Sequence, residues 1–97
     1  MHGRAIINLM ITFVPTSWGD SLRLARLQRS ISQVKLSQLS GVSSWTIHQI
    51  ERKGIAPSER TKAKLARALS VSVSDLFPSN LPPGGDSLEA AGIGKEQ

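Results

Sequence analysis

Apolar residues in the middle of the chain recur at helical spacing in several short stretches. Leu22 and Ala25 lie three residues apart, and Ile47 and Ile50 repeat that spacing later in the chain. Residues three or four apart lie on one side of an α-helix, so each stretch predicts a short amphipathic helix. Nothing between residues 21 and 77 follows the alternating pattern of a strand. The pattern therefore predicts an all-α domain.

Serine and glycine residues mark where the predicted helices begin and end. The second helix is predicted over residues 33–39 and the third over residues 44–52, and each follows a serine whose side chain can cap it. Gly41 follows the second helix and Gly54 follows the third, and glycine readily adopts the left-handed conformation that ends a helix. The predicted capping serines are Ser32, Ser43, Ser58 and Ser72.

The two ends of the chain differ from its middle. Residues 5–14 form an apolar, β-branched run that ends at Pro15 and is too short to span a bilayer. This run favours a strand or an ordered arm over a signal peptide, and a start of the protein at Met10 stays open. The prolines and glycines from Pro78 onwards predict a mostly disordered tail. The predicted segments are an N-terminal extension over residues 1–20, a helical domain over 21–77 and the tail over 78–97.

Positive charge is concentrated in the helical segment. The whole chain has 12 Lys and Arg against 7 Asp and Glu, a formal net charge of +5. Residues 21–77 hold 10 basic and 3 acidic residues, a net +7, whereas residues 78–97 hold 1 and 3, a net −2. A compact basic domain commonly binds polyanions, nucleic acid before anionic membrane. A basic surface that only keeps the domain soluble is the alternative explanation.

The composition excludes several classes of function. The chain has no cysteine, and its two histidines, His2 and His48, are too few and too far apart for a zinc site built without cysteine. The sequence also contains no Walker loop, no nucleophile elbow and no plausible pair of catalytic carboxylates. We therefore expect no metal, no cofactor and no enzymatic activity.

Two short helices joined by a glycine-containing turn are typical of a helix-turn-helix. The spaced residues around the turn are Ser32, Gln33, Leu36, Ser37, Gly41, Val42, Ser43, Ile47, Ile50, Glu51, Arg52, Gly54, Pro57 and Ser58, followed by Lys64, Leu65, Ala66, Ala68, Leu69, Val71, Ser72 and Leu76. This pattern closely resembles the Cro and phage-repressor type of helix-turn-helix, also called the Xre family. The resemblance extends from Ser21 to Phe77. It implies a five-helix, lambda-repressor-like domain that binds double-stranded DNA, usually as a homodimer.

The resemblance also implies roles for individual residues. Arg26 and Glu51 are expected to form a partly buried ion pair between the first and third helices. The positions that meet base edges in the family are occupied here by Ser44, Trp45 and Gln49. The expected phosphate contacts are Gln33, Ser43, His48, Arg52 and Lys53.

Several of these positions have a second explanation. Trp45 departs from the polar residues common at its position and is also explained as a wedge, a contact to the DNA backbone or part of a protein interface. His48 and Gln33 are also explained as exposed helix residues, and Arg52 and Lys53 as favourable charges at a helix C-terminus. Gly54 lies one place later than in the family pattern, and Ser70 stands where glycine is usual.

The sequence thus predicts a sequence-specific, DNA-binding transcriptional regulator, in the simplest case a repressor, that inserts helix 44–52 into the major groove. Such a protein would act in the cytoplasm of a prokaryote, on the nucleoid when bound, without membrane association. The alternative is an antitoxin or accessory module that uses the same domain to bind a protein partner.

Overall fold

The computed structural model describes residues 14–84, and within them all regular structure is helical. The predicted all-α fold with five helices is confirmed. Apart from Val14, the apolar run near the N-terminus and the alternative start at Met10 lie outside the described residues. The helices are α1 (Trp18–Gln28), α2 (Gln33–Ser40), α3 (Ser44–Lys53), α4 (Glu59–Leu69) and α5 (Val73–Leu76).

Each helix begins directly after a serine that caps it. The serine hydroxyl oxygen accepts a hydrogen bond from the backbone N–H three residues later, at 2.9 to 3.2 Å. The four capping serines predicted from the sequence are confirmed, and Ser17 adds a fifth at the start of α1. Each such cap stabilises its helix by about 1 kcal/mol relative to alanine.

The core is formed by the apolar faces of the five helices, which pack around one centre. Its most completely buried side chains are Leu22, Leu36, Ile47, Ile50, Leu65, Leu69 and Leu76. Two further apolar side chains of α2, those of Val34 and Leu39, are 58% and 52% exposed and do not join this core. The short α2 buries only Leu36, and Val34 lies about 200° around the helix from it.

The domain begins earlier than the sequence predicts. α1 starts at Trp18, so residues 18–20 belong to the domain and not to an N-terminal extension. At this end α1 crosses the last turn of α3 at very short range. A Cβ atom on Gly19 would lie 2.6 Å from the carbonyl oxygen of Ile50 and 3.0 Å from that of Glu51. Glycine therefore allows the backbones of α1 and α3 to approach this closely.

The domain also ends later than predicted, because residues 78–84 pack on the start of α1. The backbone N–H of Trp18 donates to the Pro82 carbonyl at 2.8 Å, and its indole N–H donates to the Pro78 carbonyl at 2.7 Å. The first N–H groups of a helix lack partners within the helix, and a proline carbonyl accepts as well as any other. The expectation of disorder is therefore wrong for this part of the tail. Residues 85–97 lie outside the described residues.

Trp18 also joins the tail to the helical core. Its ring meets the Phe77 ring edge-on, with centroids 5.8 Å apart, and the Lys62 ammonium lies 4.2 Å from the Trp18 ring centroid. Gly84 lies against Ser17, where an added Cβ would come 2.5 Å from the Ser17 Cβ. The first and last described segments are thus in direct contact.

Candidate nucleic-acid interface

The third helix has one buried face and one face directed to solvent. Ile47, Ile50 and Glu51 are buried, which fixes the rotation of α3 about its own axis. Trp45 is 69% exposed on the opposite side. The other residues expected to contact DNA from α3 are also accessible: His48 and Lys53 are exposed, and Ser44, Gln49 and Arg52 are half-buried.

The turn between α2 and α3 is set by Gly41. Its φ of 80° is left-handed, and a Cβ at this position would meet nothing within 4 Å. The glycine is therefore required by backbone conformation and not by lack of space. The next residue, Val42, is buried in the core, and its backbone N–H donates to the Ser40 hydroxyl at 3.1 Å. These contacts fix the angle between the two helices.

The ion pair of Arg26 and Glu51 connects α1 to the end of α3. The guanidinium donates from Nε to Oε2 and from Nη2 to Oε1, both at 2.9 Å. The two side chains are 10% and 1% exposed, so little water competes for either group. A third guanidinium nitrogen, Nη1, donates to the carbonyl of Ile31 at 2.9 Å. The pair therefore restrains α3 through a rigid, two-point contact.

Gln33 at the start of α2 takes part in the same network. Its side-chain amide donates to Glu51 Oε1 at 3.1 Å and is half-buried. The carboxylate thus accepts hydrogen bonds from both α1 and α2. The sequence predicted Gln33 as a phosphate contact or an exposed helix residue, and nothing in the spacing indicated that it reaches Glu51. Its position at the end of this network holds the start of α2 at a fixed distance from α3.

The hydroxyl of Ser43 is engaged within α3. It accepts from the backbone N–H of Thr46 at 3.0 Å and donates to the Thr46 hydroxyl at 2.9 Å. Ser43 is nevertheless exposed, and it directly precedes the first turn of α3. The start of α3 therefore presents capped but accessible polar groups, next to the positive end of the helix dipole.

The other end of α3 carries two adjacent basic residues. Arg52 and Lys53 occupy its last turn, and Gly54 follows with a left-handed φ of 73°. The backbone N–H of Ile55 then donates to the Gln49 carbonyl at 3.3 Å, which completes the turn. Positive side chains here stabilise the helix terminus, because they lie at the negative end of the helix dipole.

Within residues 14–84, no three histidine, aspartate or glutamate side chains are grouped so as to hold a metal ion. Among the helices of these residues, none is long and apolar enough to cross a membrane.

Comparison with known proteins gives one family and several similar structures. A helix-turn-helix family model matches residues 22–76, more than half of the chain. The restriction-modification controller protein C.AhdI from Aeromonas hydrophila is 32% identical, with a TM-score of 0.60 over 64% of this chain and 94% of its own. The P22 c2 repressor, solved with synthetic operator 9T in the presence of Tl⁺, is 30% identical, with a TM-score of 0.61 over 66% of this chain and 97% of its own.

A more distant similarity concerns the fold alone. Streptomyces albus HEPD, solved with 2-hydroxyethylphosphonate and Fe(II), is 24% identical with a TM-score of 0.62. The alignment covers 74% of this chain and 16% of HEPD. No curated protein matches the chain.

Proposed function

The chain belongs to the helix-turn-helix family of the Xre and Cro type, and from this premise we propose that it is a sequence-specific repressor that inserts α3 into the major groove of its operator. One observation carries the proposal: the outward face of α3 is polar and aromatic, while Glu51 on its inner face is bound to both α1 and α2. A recognition helix must be held rigidly if its side chains are to distinguish bases.

The base-reading residues in this proposal are Ser44, Trp45 and Gln49. The amide of Gln49 is suited to a bidentate pair with adenine, and the Ser44 hydroxyl bonds to several bases. The exposed ring of Trp45 offers an apolar surface for the methyl group of thymine. An operator read by these groups should contain A·T pairs in each half-site.

Phosphate contacts position the domain on the duplex. We assign them to Gln33 and Ser43 at the helix starts, where backbone N–H groups and the helix dipole favour an anion. Arg52 and Lys53 contribute from the end of α3, and His48 contributes from its exposed face. These groups lie before α3, in its middle and in its last turn, and so would fix its orientation along the groove.

The two similar proteins support a regulatory role. One is named as a controller protein and the other as a repressor, and the latter was solved with an operator. We propose that this chain likewise acts as a homodimer on two half-sites, whose centres lie about 34 Å apart, one turn of DNA. Such a protein would act on the nucleoid in the cytoplasm.

Selection of bound duplexes from a random-sequence pool tests the proposal. The full chain should enrich a palindromic motif with A·T-containing half-sites about ten base pairs apart. A reporter with this motif across its promoter should then lose expression when the protein is present. Failure to enrich any motif, with binding that does not weaken as salt increases, would refute DNA as the partner.

The exposure of Trp45 also favours a second candidate function, binding to a protein partner as an antitoxin or accessory module. Tryptophan is enriched at the energetic centres of protein interfaces. Copurification of one protein at high salt, lost on Trp45→Ala, would support this function. Retention of that protein by the Trp45→Ala variant would contradict it.

A further inference from the structure

The fourth helix carries a second basic surface that the proposed contacts of α3 do not use. Arg60, Ala63, Lys64 and Arg67 follow the spacing of one helix face, and all four are exposed. We refer to these four residues as the α4 basic face. The opposite side of the helix packs into the core through Leu65, Ala66 and Leu69. The positive side chains are therefore held outward by burial of the other side.

The α4 basic face has no acidic partner among residues 14–84. The acidic side chains there lie elsewhere: Glu51 bonds to Arg26, Glu59 to Lys62 at 3.0 Å, Asp20 to Thr16, and Asp75 borders the groove between α1 and α5. Arg60, Lys64 and Arg67 therefore place three positive charges on one face of α4, and no acidic side chain of residues 14–84 forms an ion pair with them. Repulsion between them is relieved most effectively by a polyanion.

The spacing of these charges suits a phosphate backbone. Arg60 and Arg67 lie about 10.5 Å apart along the helix axis, at 1.5 Å per residue. One strand of duplex DNA carries a phosphate about every 3.4 Å of axis, so this length corresponds to about three phosphates. Ala63 lies between the charged residues, and its small side chain leaves the face open to close approach.

The position of the face favours the duplex that α3 occupies. α4 begins at Glu59, only six residues after Lys53, the last residue of α3. The five intervening residues carry no charge, and Arg60 in the first turn of α4 is the next basic residue after Lys53. The face also lacks the large apolar or aromatic residues that anchor protein interfaces, which makes an acidic protein the poorer fit.

We propose that the α4 basic face binds the phosphate backbone of the operator duplex outside the base pairs that α3 reads. The inference rests on the proposed DNA-binding function and extends the contact beyond the recognition helix. It predicts that the protein binds a duplex with flanking DNA more tightly, and with stronger salt dependence, than a duplex limited to the operator.

Binding by the full chain to two duplexes tests this inference. The short duplex holds the selected operator of about 20 base pairs, and the long one adds about ten base pairs of fixed sequence on each side. The variant Lys64→Gln/Arg67→Gln is compared with Arg23→Gln/Arg29→Gln, which removes the same charge from the surface around α1. Fluorescence anisotropy at several salt concentrations gives the slope of log affinity against log salt.

The wild-type protein should show a steeper slope on the long duplex, by about 0.9 for each flanking phosphate contacted. Lys64→Gln/Arg67→Gln should reduce the slope on the long duplex by about 1.8 per bound protomer and leave the short duplex almost unchanged. The Arg23→Gln/Arg29→Gln control should keep the steeper slope. Circular dichroism melting confirms that both variants fold.

Two results with DNA, and a third with polyglutamate, would overturn the inference while leaving the proposed function intact. One is equal slopes for the wild-type protein on the short and long duplexes. The other is an equal effect of the two double variants, which would mean that only net charge matters. Loss of binding to polyglutamate by Lys64→Gln/Arg67→Gln, with unchanged DNA binding, would assign the face to an acidic protein instead. If the wild-type protein binds neither duplex, the proposed function itself fails.

Discussion

Arg26 and Glu51 face each other across the boundary between α1 and α3, joined by two hydrogen bonds of 2.9 Å in a buried setting. The two residues are 25 positions apart in sequence, so their pairing is purely tertiary. Because Glu51 lies on the inner face of α3, the pair links the stability of the domain to the orientation of the surface that we propose binds DNA.

Breaking this pair should be costly, whereas replacing both partners should be tolerated. Arg26→Met leaves the Glu51 carboxylate buried without its main partner, and we expect a loss of about 3 to 5 kcal/mol in the free energy of unfolding. The double variant Arg26→Met/Glu51→Met should recover most of that loss. Urea denaturation of the single and double variants measures the difference. A double variant as unstable as the single one would show that the charge left alone is not the cause.

Ser70 offers a simple route to a more stable domain. Its φ of 60° is left-handed, a conformation that costs a residue with a Cβ about 1 to 2 kcal/mol. Ser70→Gly should therefore raise the unfolding free energy by about 0.5 to 1 kcal/mol, after the greater flexibility of unfolded glycine is subtracted. Gly41→Ala is the matched control with the opposite expected sign. Its added Cβ meets no neighbour, so the variant introduces only the backbone strain of a left-handed φ. Thermal melts of both variants should shift in opposite directions.

Gly19→Ala should disturb the recognition helix from its far side. The added Cβ would lie 2.6 Å from the Ile50 carbonyl oxygen, so α1 and α3 must separate. We expect a loss of about 1 to 3 kcal/mol in stability and weaker DNA binding at temperatures where the variant is fully folded. Melting and anisotropy measurements on the same sample separate the two effects. An unchanged melting temperature would mean that α1 and α3 move apart at this crossing without a loss of stability.

Gln49 and Lys53 should affect DNA binding in different ways. Gln49→Ala removes the proposed base contact, so it should cost about 1 to 3 kcal/mol on the operator and broaden the preference at one base pair. Lys53→Ala removes the proposed phosphate contact, so it should weaken all sequences alike and lower the salt slope by about 0.9. Binding to operator and random duplexes distinguishes the two results. Equal weakening of both duplexes by Gln49→Ala would disprove its role as a base reader.

The contact between the tail and Trp18 should contribute to stability. Ending the chain after Phe77 removes the carbonyl groups that accept from the Trp18 backbone and indole N–H groups. Each lost hydrogen bond should cost about 1 kcal/mol, so the melting temperature should fall by several degrees. A chain ended after Gly84 keeps these contacts and serves as the control. Equal melting temperatures for the two truncated chains would show that residues 78–84 do not stabilise the helices.

Helix ends and much of the core could be predicted from the sequence because they depend on residues that are close together in the chain. The capping serines and the glycines at 41 and 54 act within one or two turns of their own position, so their residue types were sufficient to place helix ends. The buried residues Leu36, Ile47 and Ile50 were likewise evident from spacing and from the family pattern.

The features that sequence reasoning missed depend on distant partners. Trp18 belongs to the domain because Pro78 and Pro82, about 60 residues away, complete its hydrogen bonds. Gln33 reaches Glu51 only because α2 and α3 pack at a fixed angle. Leu39 is exposed because of the way that the short helix α2 packs on the core, and the apolar character of a leucine does not reveal that packing.

Ser17 and Gly84 are in contact, so the two ends of the helical domain lie side by side. A short linker between these two residues would therefore join the existing ends without moving a helix, and new ends could be opened in an exposed loop. A circularly permuted domain opened between Ile55 and Ala56, both exposed, should fold with the same helices. That permutation would place attached labels or fused domains just after the last turn of α3, next to the proposed phosphate contacts Arg52 and Lys53.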